Sequence, residues 1–291
     1  MGPEGSRYTI RHSIPRFVNI LSDDGQVQVQ KVFGYKWTRH DWGHEKKLRN
    51  FYARWVREPF RCPSDKEAFK LFKTCHHLLD AGCGSGFISF YLAPSLRKSL
   101  ILNVDISSSI DAAIGYTKNY PNVFFVQADI NQLPLTYDLF DAIVSLAVLH
   151  HAPDTFKSLS NLVLYLKKGG NIFLYIYKKK SPISEFTDDF LRGHISALPP
   201  EAAWGEAIKL TKLGQYPSRL KLTLNIPDDM SLLGLKKGET DLQRLFYWHI
   251  LKCFWNGEMR FDYNVTINLD CIIQSMLTDT PSVKLETGLI S

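Results

Sequence analysis

Residues 78–86 read Leu78-Leu79-Asp80-Ala81-Gly82-Cys83-Gly84-Ser85-Gly86. Two leucines end an apolar run, three glycines follow at every second position, and residues 87–93 form a helix-compatible stretch. A strand that turns sharply into a helix brings bare backbone N–H groups to a small ligand. Glycine permits the left-handed turn and removes Cβ atoms that would block approach. Further apolar runs follow at 100–105, 123–129, 140–146 and 171–177, the last after the turn Lys168-Gly169-Gly170. Strands alternating with helices over 77–178 predict an α/β fold, a parallel-rich sheet with helices on both faces. Such sheets bind ligands beyond the carboxyl ends of their strands. Asp80, Asp105, Asp129 and Ser145 all fall at or near those ends, whereas Asp141 opens its strand and reads as structural.

The spacing narrows the ligand. A dinucleotide fingerprint would need glycine at position 87, which is Phe87, and a Gly-Lys-Ser/Thr phosphate loop is absent. Asp80 would repel a pyrophosphate but suits a cation. S-adenosylmethionine (SAM), with a positive amino group and sulfonium, meets that requirement. Asp105 stands 19 residues after Gly86, room for one helix and a return strand. A carboxylate there can accept hydrogen bonds from both hydroxyls of an adenosine ribose. Each acid taken alone reads equally well as a turn cap.

Five stretches, LDAGCGSG, VDIS, VQADINQLP, FDAIVSLAVLHHAPD and LKKGGNIFLYIY, resemble in order and spacing the motifs of class I SAM-dependent methyltransferases. The lead-in Phe33-Gly34-Tyr35-Lys36-Trp37 is similar to that of a subgroup often found in polysaccharide and natural-product biosynthesis. That subgroup commonly carries a cysteine-bearing zinc ribbon, and this chain lacks those cysteines, so no metal site is expected. The resemblance implies a Rossmann-like fold, SAM as donor and S-adenosylhomocysteine as product. It implies that Asp105, with Ile106, holds the ribose and that Asp129 accepts from the adenine amino group beside Ile130. Gly82 and Gly84 would face the methionine part in the loop closed by Gly86, and Asp80 would offset its ammonium. Trp37 reads either as packing or as lining the crevice, and the resemblance favours the crevice. The implied acceptor is a small biosynthetic molecule methylated on oxygen or nitrogen. An RNA or protein methyltransferase, or a non-catalytic SAM-binding protein, stays open as an alternative.

His150 and His151 follow the fourth strand, where the methyl group should emerge. A neutral imidazole can take a proton from an acceptor hydroxyl or amine. Alternatively, one of them orders the loop before Pro153. As catalytic candidates, His150 is placed ahead of His151.

The rest of the chain bounds the reading. At 45% apolar and 22% charged residues it can bury a sizeable core. The net charge of +6 fits an anionic acceptor, but no nucleic-acid-binding module accompanies it, so nucleic acid is not an expected partner. No apolar stretch is long enough for a membrane span. Five cysteines without a C-x-x-C pair indicate neither a disulfide framework nor a zinc site, and hence a cytoplasmic setting. Alternation over 27–33 predicts a strand, and helices are expected at 45–56 and 64–75, the second opened by a Ser64/Glu67 capping box. Four regions result: a lead-in at 1–60, the SAM-binding core at 61–180, a helical insertion at 181–260, and a return to the core at 261–291. The insertion reads either as a lid over the acceptor or as a helical subdomain that simply packs. A last strand is placed at 283–285.

Overall fold

A computed structural model describes residues 8–18, 24–39, 45–177 and 181–273, which fall into two units divided after Tyr177. The first unit opens with a hairpin, β1 (Thr9–Arg11) and β2 (Ile14–Arg16), then helices α1 (Asp24–Arg39), α2 (Lys46–Arg57) and α3 (Asp65–Lys70). The α/β alternation follows: β3 (His77–Ala81), α4 (Phe87–Leu92), β4 (Leu100–Asp105), α5 (Ile110–Thr117), β5 (Val123–Gln127), β6 (Phe140–Leu146), α6 (Thr155–Val163) and β7 (Leu166–Tyr175). The sheet order is β1-β2-β5-β4-β3-β6-β7, parallel throughout except for the β1–β2 pair. This is the Rossmann-like α/β sheet that the sequence predicts.

The centre of the sheet follows from composition. Leu78, Leu79 and Ala81 of β3 have no exposed surface, nor do Ile101 and Val104 of β4. A strand covered on both faces needs an unbroken apolar run rather than alternation. Because β3 pairs with β4 on one side and β6 on the other, chain order reverses at β3. That reversal opens a crevice at its carboxyl end, where the glycines lie.

At the opposite end of β3, Asp141 acts as a clamp. Its carboxylate accepts from the His76 and His77 amides at 2.9 and 2.7 Å and from Lys167 Nζ at 2.7 Å. Partial burial alone would raise its pKa, but the Lys167 and backbone hydrogen bonds outweigh that and hold it below the usual carboxylate range. A depressed carboxyl contributes stability above its unfolded pKa and loses it as the pH falls through the folded one. Asp141→Ala should therefore lower stability by about 1–3 kcal/mol at neutral pH. A urea titration would show the deficit shrinking in acid.

Several boundaries differ from the sequence expectation. Residues 27–33, expected as a strand, lie inside α1. The alternating run is short, its glutamines are fair helix formers, and Val32 and Lys36, four apart, are both buried. The last core strand starts at Leu166 rather than 171. Its register jumps from Phe140↔Leu166 to Ala142↔Asn171, so the Gly169-Gly170 segment is an irregularity within β7, with Gly169 at φ +79°. The helix expected over 64–75 closes at Lys70. Ser64 Oγ accepts from the Glu67 amide at 3.3 Å, but the Glu67 side chain meets Lys70 instead of completing the box.

The hairpin β1–β2 was not foreseen. Its turn places His12 and Ser13 at φ +52° and +62°. Arg16 fastens it, with Nη1 donating to Gln127 Oε1 and Nη2 to Asp111 Oδ1, both at 2.6 Å. Ile14 is buried with Cys83, Ile110, Ala113 and Phe125.

The second unit contains α7 (Pro182–Ile195), α8 (Pro200–Leu220), the antiparallel pair β8 (Thr223–Ile226) and β9 (Gly238–Asp241), α9 (Leu242–His249) and α10 (Phe261–Ile273). The segment read as a helical insertion, 181–260, holds α7, α8 and α9. Residues 261–273 do not return to the sheet. They form α10, which packs on α8 through Asn268: its Nδ2 donates to Thr211 Oγ1 at 2.8 Å and its Oδ1 accepts from the Phe254 amide at 2.6 Å. The strand expected at 283–285 lies outside the described residues. Among the described residues no helix is long and apolar enough to cross a membrane.

Candidate active site

The glycine loop leaves β3 at once and is tied to β4. Gly82 N and Cys83 N both donate to Val104 O, at 2.8 and 3.0 Å, and Gly84 N donates to Asp105 Oδ2 at 2.7 Å. Gly82, Gly84 and Gly86 sit at φ +83°, +53° and +80°, and Gly86 caps α4. Packing also demands them. A Cβ on Gly82 would strike Val148, and one on Gly86 would come within 2.8 Å of the Ala113 methyl. At Gly84 the neighbour is the Trp37 indole, 3.3 Å away. The expectation was that glycine clears space for a ligand. In the structure two of the three first clear space for the protein itself.

Asp105 is buried, and its two oxygens are well used. Oδ1 accepts from Ser107 N at 2.8 Å and Ser107 Oγ at 2.6 Å, while Oδ2 takes the Gly84 amide. A carboxylate has about four acceptor positions, so roughly one remains. That remaining position suits one ribose hydroxyl rather than the two expected. Burial raises the Asp105 pKa, against the lowering effect of the Ser107 and Gly84 hydrogen bonds.

Asp80 differs. It is only 1% exposed, and its Oδ2 has no hydrogen-bond partner. Burial, with the Asp105 charge beside it, pushes its pKa up to about 8. Two neighbouring acids thus sit in opposite environments, one held by three donors and the other carrying an orphaned oxygen.

The remaining expected residues divide. Asp129 lies just past β5, in a turn where Oδ1 accepts from the Asn131 amide at 2.8 Å and its side chain at 3.0 Å. The Ile106 carbonyl receives Gln30 Nε2 at 2.9 Å and Gln127 Nε2 at 3.0 Å. Ile130 belongs to the main apolar core. Ser145 is wholly buried, and its hydroxyl donates to Ala81 O at 2.9 Å, pinning β6 to β3.

Helix α1 runs over this group. Gln30 reaches Ile106, and Gly34 faces Ser108 so closely that a Cβ would lie 2.6 Å from its hydroxyl. Trp37 covers Gly84, and Phe33 meets His151 edge-on at 4.8 Å between centroids. Lys36 is buried with its ammonium 4.1 Å from the Trp37 ring centroid, a cation–π contact. The structure therefore brings Trp37 to the glycine loop.

His150 and His151 form a short 3₁₀ turn after β6. His150 has no exposed surface and stacks on Tyr177 at 4.4 Å, while His151 retains 8% exposure. His150, stacked against the Tyr177 ring, is the less accessible of the two.

Ser107, Val148 and Tyr177 were missed from the sequence. The first had a readable signal, an Asp followed two residues later by Ser, the pattern of an Asx turn. The other two are contacts between distant segments. Among the described residues no cluster of His, Cys, Asp or Glu suits a metal ion.

Comparison with known proteins gives the family. Residues 79–174 match the family described as "Methyltransferase domain". The ubiquinone biosynthesis O-methyltransferase of Coxiella burnetii is 33% identical over 185 residues, covering 61% of this chain and 76% of that protein. A phthiotriol/phenolphthiotriol dimycocerosates methyltransferase of Mycobacterium ulcerans is 22% identical over 150 residues, covering 52% and 55%. The crystal structure of Bacillus subtilis YcgJ shares 27% identity over 44% of this chain and 58% of its own, at a TM-score of 0.38. The glycine loop, the acids at the strand ends and nearly all of the run from β3 to β7 lie inside the matched region, and the chain belongs to the class I SAM-dependent methyltransferases.

Proposed function

We propose that the crevice between the glycine loop, the end of β4 and α1 holds SAM, and that the enzyme methylates oxygen or nitrogen of a small biosynthetic acceptor. One observation carries the reading: the tie from Gly84 N to Asp105, at the point where chain order reverses. The residues present fit the donor, because a cation answers the orphaned oxygen of Asp80. The sulfonium supplies an already activated methyl group, so the protein's work is alignment and exclusion of water. Asp105 Oδ2 would take a ribose hydroxyl on its spare acceptor position. Asp129 Oδ2 would receive the adenine amino group. Gly82 and Gly84 would line the methionine part, with Asp80 opposite its ammonium and Trp37 shielding the loop. Oxygen as the receiving atom is supported by the Coxiella relative, whose name specifies an O-methyltransferase. The names of the relatives above, one for ubiquinone biosynthesis and one for phthiotriol/phenolphthiotriol dimycocerosates, support a small acceptor over a macromolecule. We place the enzyme in the cytoplasm, in keeping with the free thiols of Cys62, Cys75, Cys83 and Cys253.

Calorimetry with SAM, followed by methyl transfer to phenolic and carboxylic acceptors, tests this reading. Absence of SAM binding would sink it. If alignment dominates, His151→Gln should reduce kcat less than about tenfold. A general base is worth about 10²–10⁴, so a loss of that size, together with the acidic limb of the kcat profile, would assign proton removal to His151.

A further inference from the structure

We propose that Asp80 holds a proton while the crevice is empty and surrenders it to solvent when the cationic donor enters. The inference rests on the reading above, that SAM occupies this crevice.

Asp80 is sealed between β4 and β6, with Asn103 and Val144 opposite it in register. One oxygen has no donor pointed at it. A bare carboxylate oxygen in a dry interior is costly, and the cheaper state is the protonated acid. The groups facing it relieve that cost only in part. From β4 comes Asp105, whose charge is fixed by three donors and which accordingly repels a second one. From the glycine loop comes Cys83, a buried thiol held uncharged because burial and both acids raise its pKa well above the usual value. From α4 comes Ser89, whose backbone N–H favours the ionised carboxyl but is outweighed by burial and the Asp105 charge, and whose hydroxyl donates to Asn103 Oδ1 at 2.6 Å. From β6, Ser145 spends its proton on Ala81 O. Among these neighbours, no positive charge is present until a ligand brings one. When two interacting acids lie in unlike surroundings, one keeps its proton and the other its charge. An arriving ammonium inverts the balance at Asp80, because an opposite charge within a few ångströms favours the ionised form.

The proton serves selectivity. A neutral ligand of the same shape leaves Asp80 protonated and gains nothing from it. A cation gains an ion pair only after the proton has left, so donor affinity rises with pH up to about 8, where the empty site is already ionised. The stability relation has the same sign. The folded carboxyl titrates above its ordinary value of 3.8, so the donor-free protein loses stability as pH climbs from there toward 8. Bound donor cancels that loss.

The test is calorimetric titration of the full chain with SAM at neutral pH, in buffers of different ionisation enthalpy. Wild type should release about one proton per donor bound, and Asp80→Asn about none. The amino group of SAM titrates near 7.7–8.0, but it is common to both proteins, so the difference reports Asp80. Equal proton release by the two would overturn the inference. Should the variant bind too weakly, infrared difference spectra of the wild type decide. A protonated-carboxyl band must be present without donor and vanish with it, and a spectrum lacking that change refutes the idea. Binding without proton release fails this inference alone, whereas no binding at all fails the assignment of the crevice.

Discussion

Replacing Gly82 with alanine is expected to cost about 2–5 kcal/mol of stability, from roughly 1–2 for a left-handed non-glycine residue and 1–3 for overpacking. Donor affinity should fall at least tenfold. The backbone stands at φ +83°, and the new methyl would run into Val148. The two contributions can be separated. Val148→Ala removes the two nearest methyls but leaves the Val148 Cβ 2.9 Å away and the backbone angle as it was, so the double variant should regain only part of the packing share. Thermal denaturation of the three proteins resolves the shares, and full recovery in the double variant would show that the angle costs nothing. Gly84→Ala should be milder, near 1 kcal/mol, because φ +53° lies in the region a non-glycine residue can reach.

Asp105→Asn is expected to be nearly as damaging as Asp105→Ala. Both oxygens accept from protein donors, one from Gly84 N and the other from Ser107. An amide supplies one acceptor and one donor, so one side of the loop would meet N–H facing N–H. Leaving a buried donor unmatched costs about 1–3 kcal/mol. With the ribose contact also lost, SAM affinity should fall by roughly a hundredfold or more, which equals about 2.7 kcal/mol at 1.36 kcal/mol per decade. Calorimetry of both variants is the check, and an Asn variant binding within threefold of wild type would remove Asp105 from the site. Loss of the Asp105 charge should also let the Asp80 pKa fall part of the way. Burial is the larger cause of its elevation and remains in place.

The strands from β3 to β6 were legible because each carries an apolar run, and for β3, β4 and β6 burial on both faces calls for that pattern. The start of β7 was not. Lys168-Gly169-Gly170 carries the composition of a turn, and only the pairing of Leu166 with Phe140 shows the strand continuing through it. Alternation over 27–33 failed for a similar reason, since seven residues fit either period and the buried partners of α1 decide the outcome. The hairpin β1–β2 has three-residue strands, too short for any periodicity, and its hold comes from Arg16 reaching Asp111 and Gln127. In the site, the glycines and acids could be read because their positions follow from where strands stop. What each acid touches could not, because Asp105 and Asp80 look alike in sequence and differ only in the donors around them. The burial of His150 beneath Tyr177 likewise depends on β7 returning beside β6.

Ile14 sits behind the glycine loop, packed in one cluster with Cys83, Ile110 and Ala113 of α5 and Phe125 of β5. Trimming the first eighteen residues to tidy an expression clone would pull that plug and cut the Arg16 tether along with it. The loop would then have a void at its back, and an apparent failure to bind nucleoside could be the work of the scissors rather than a property of the enzyme.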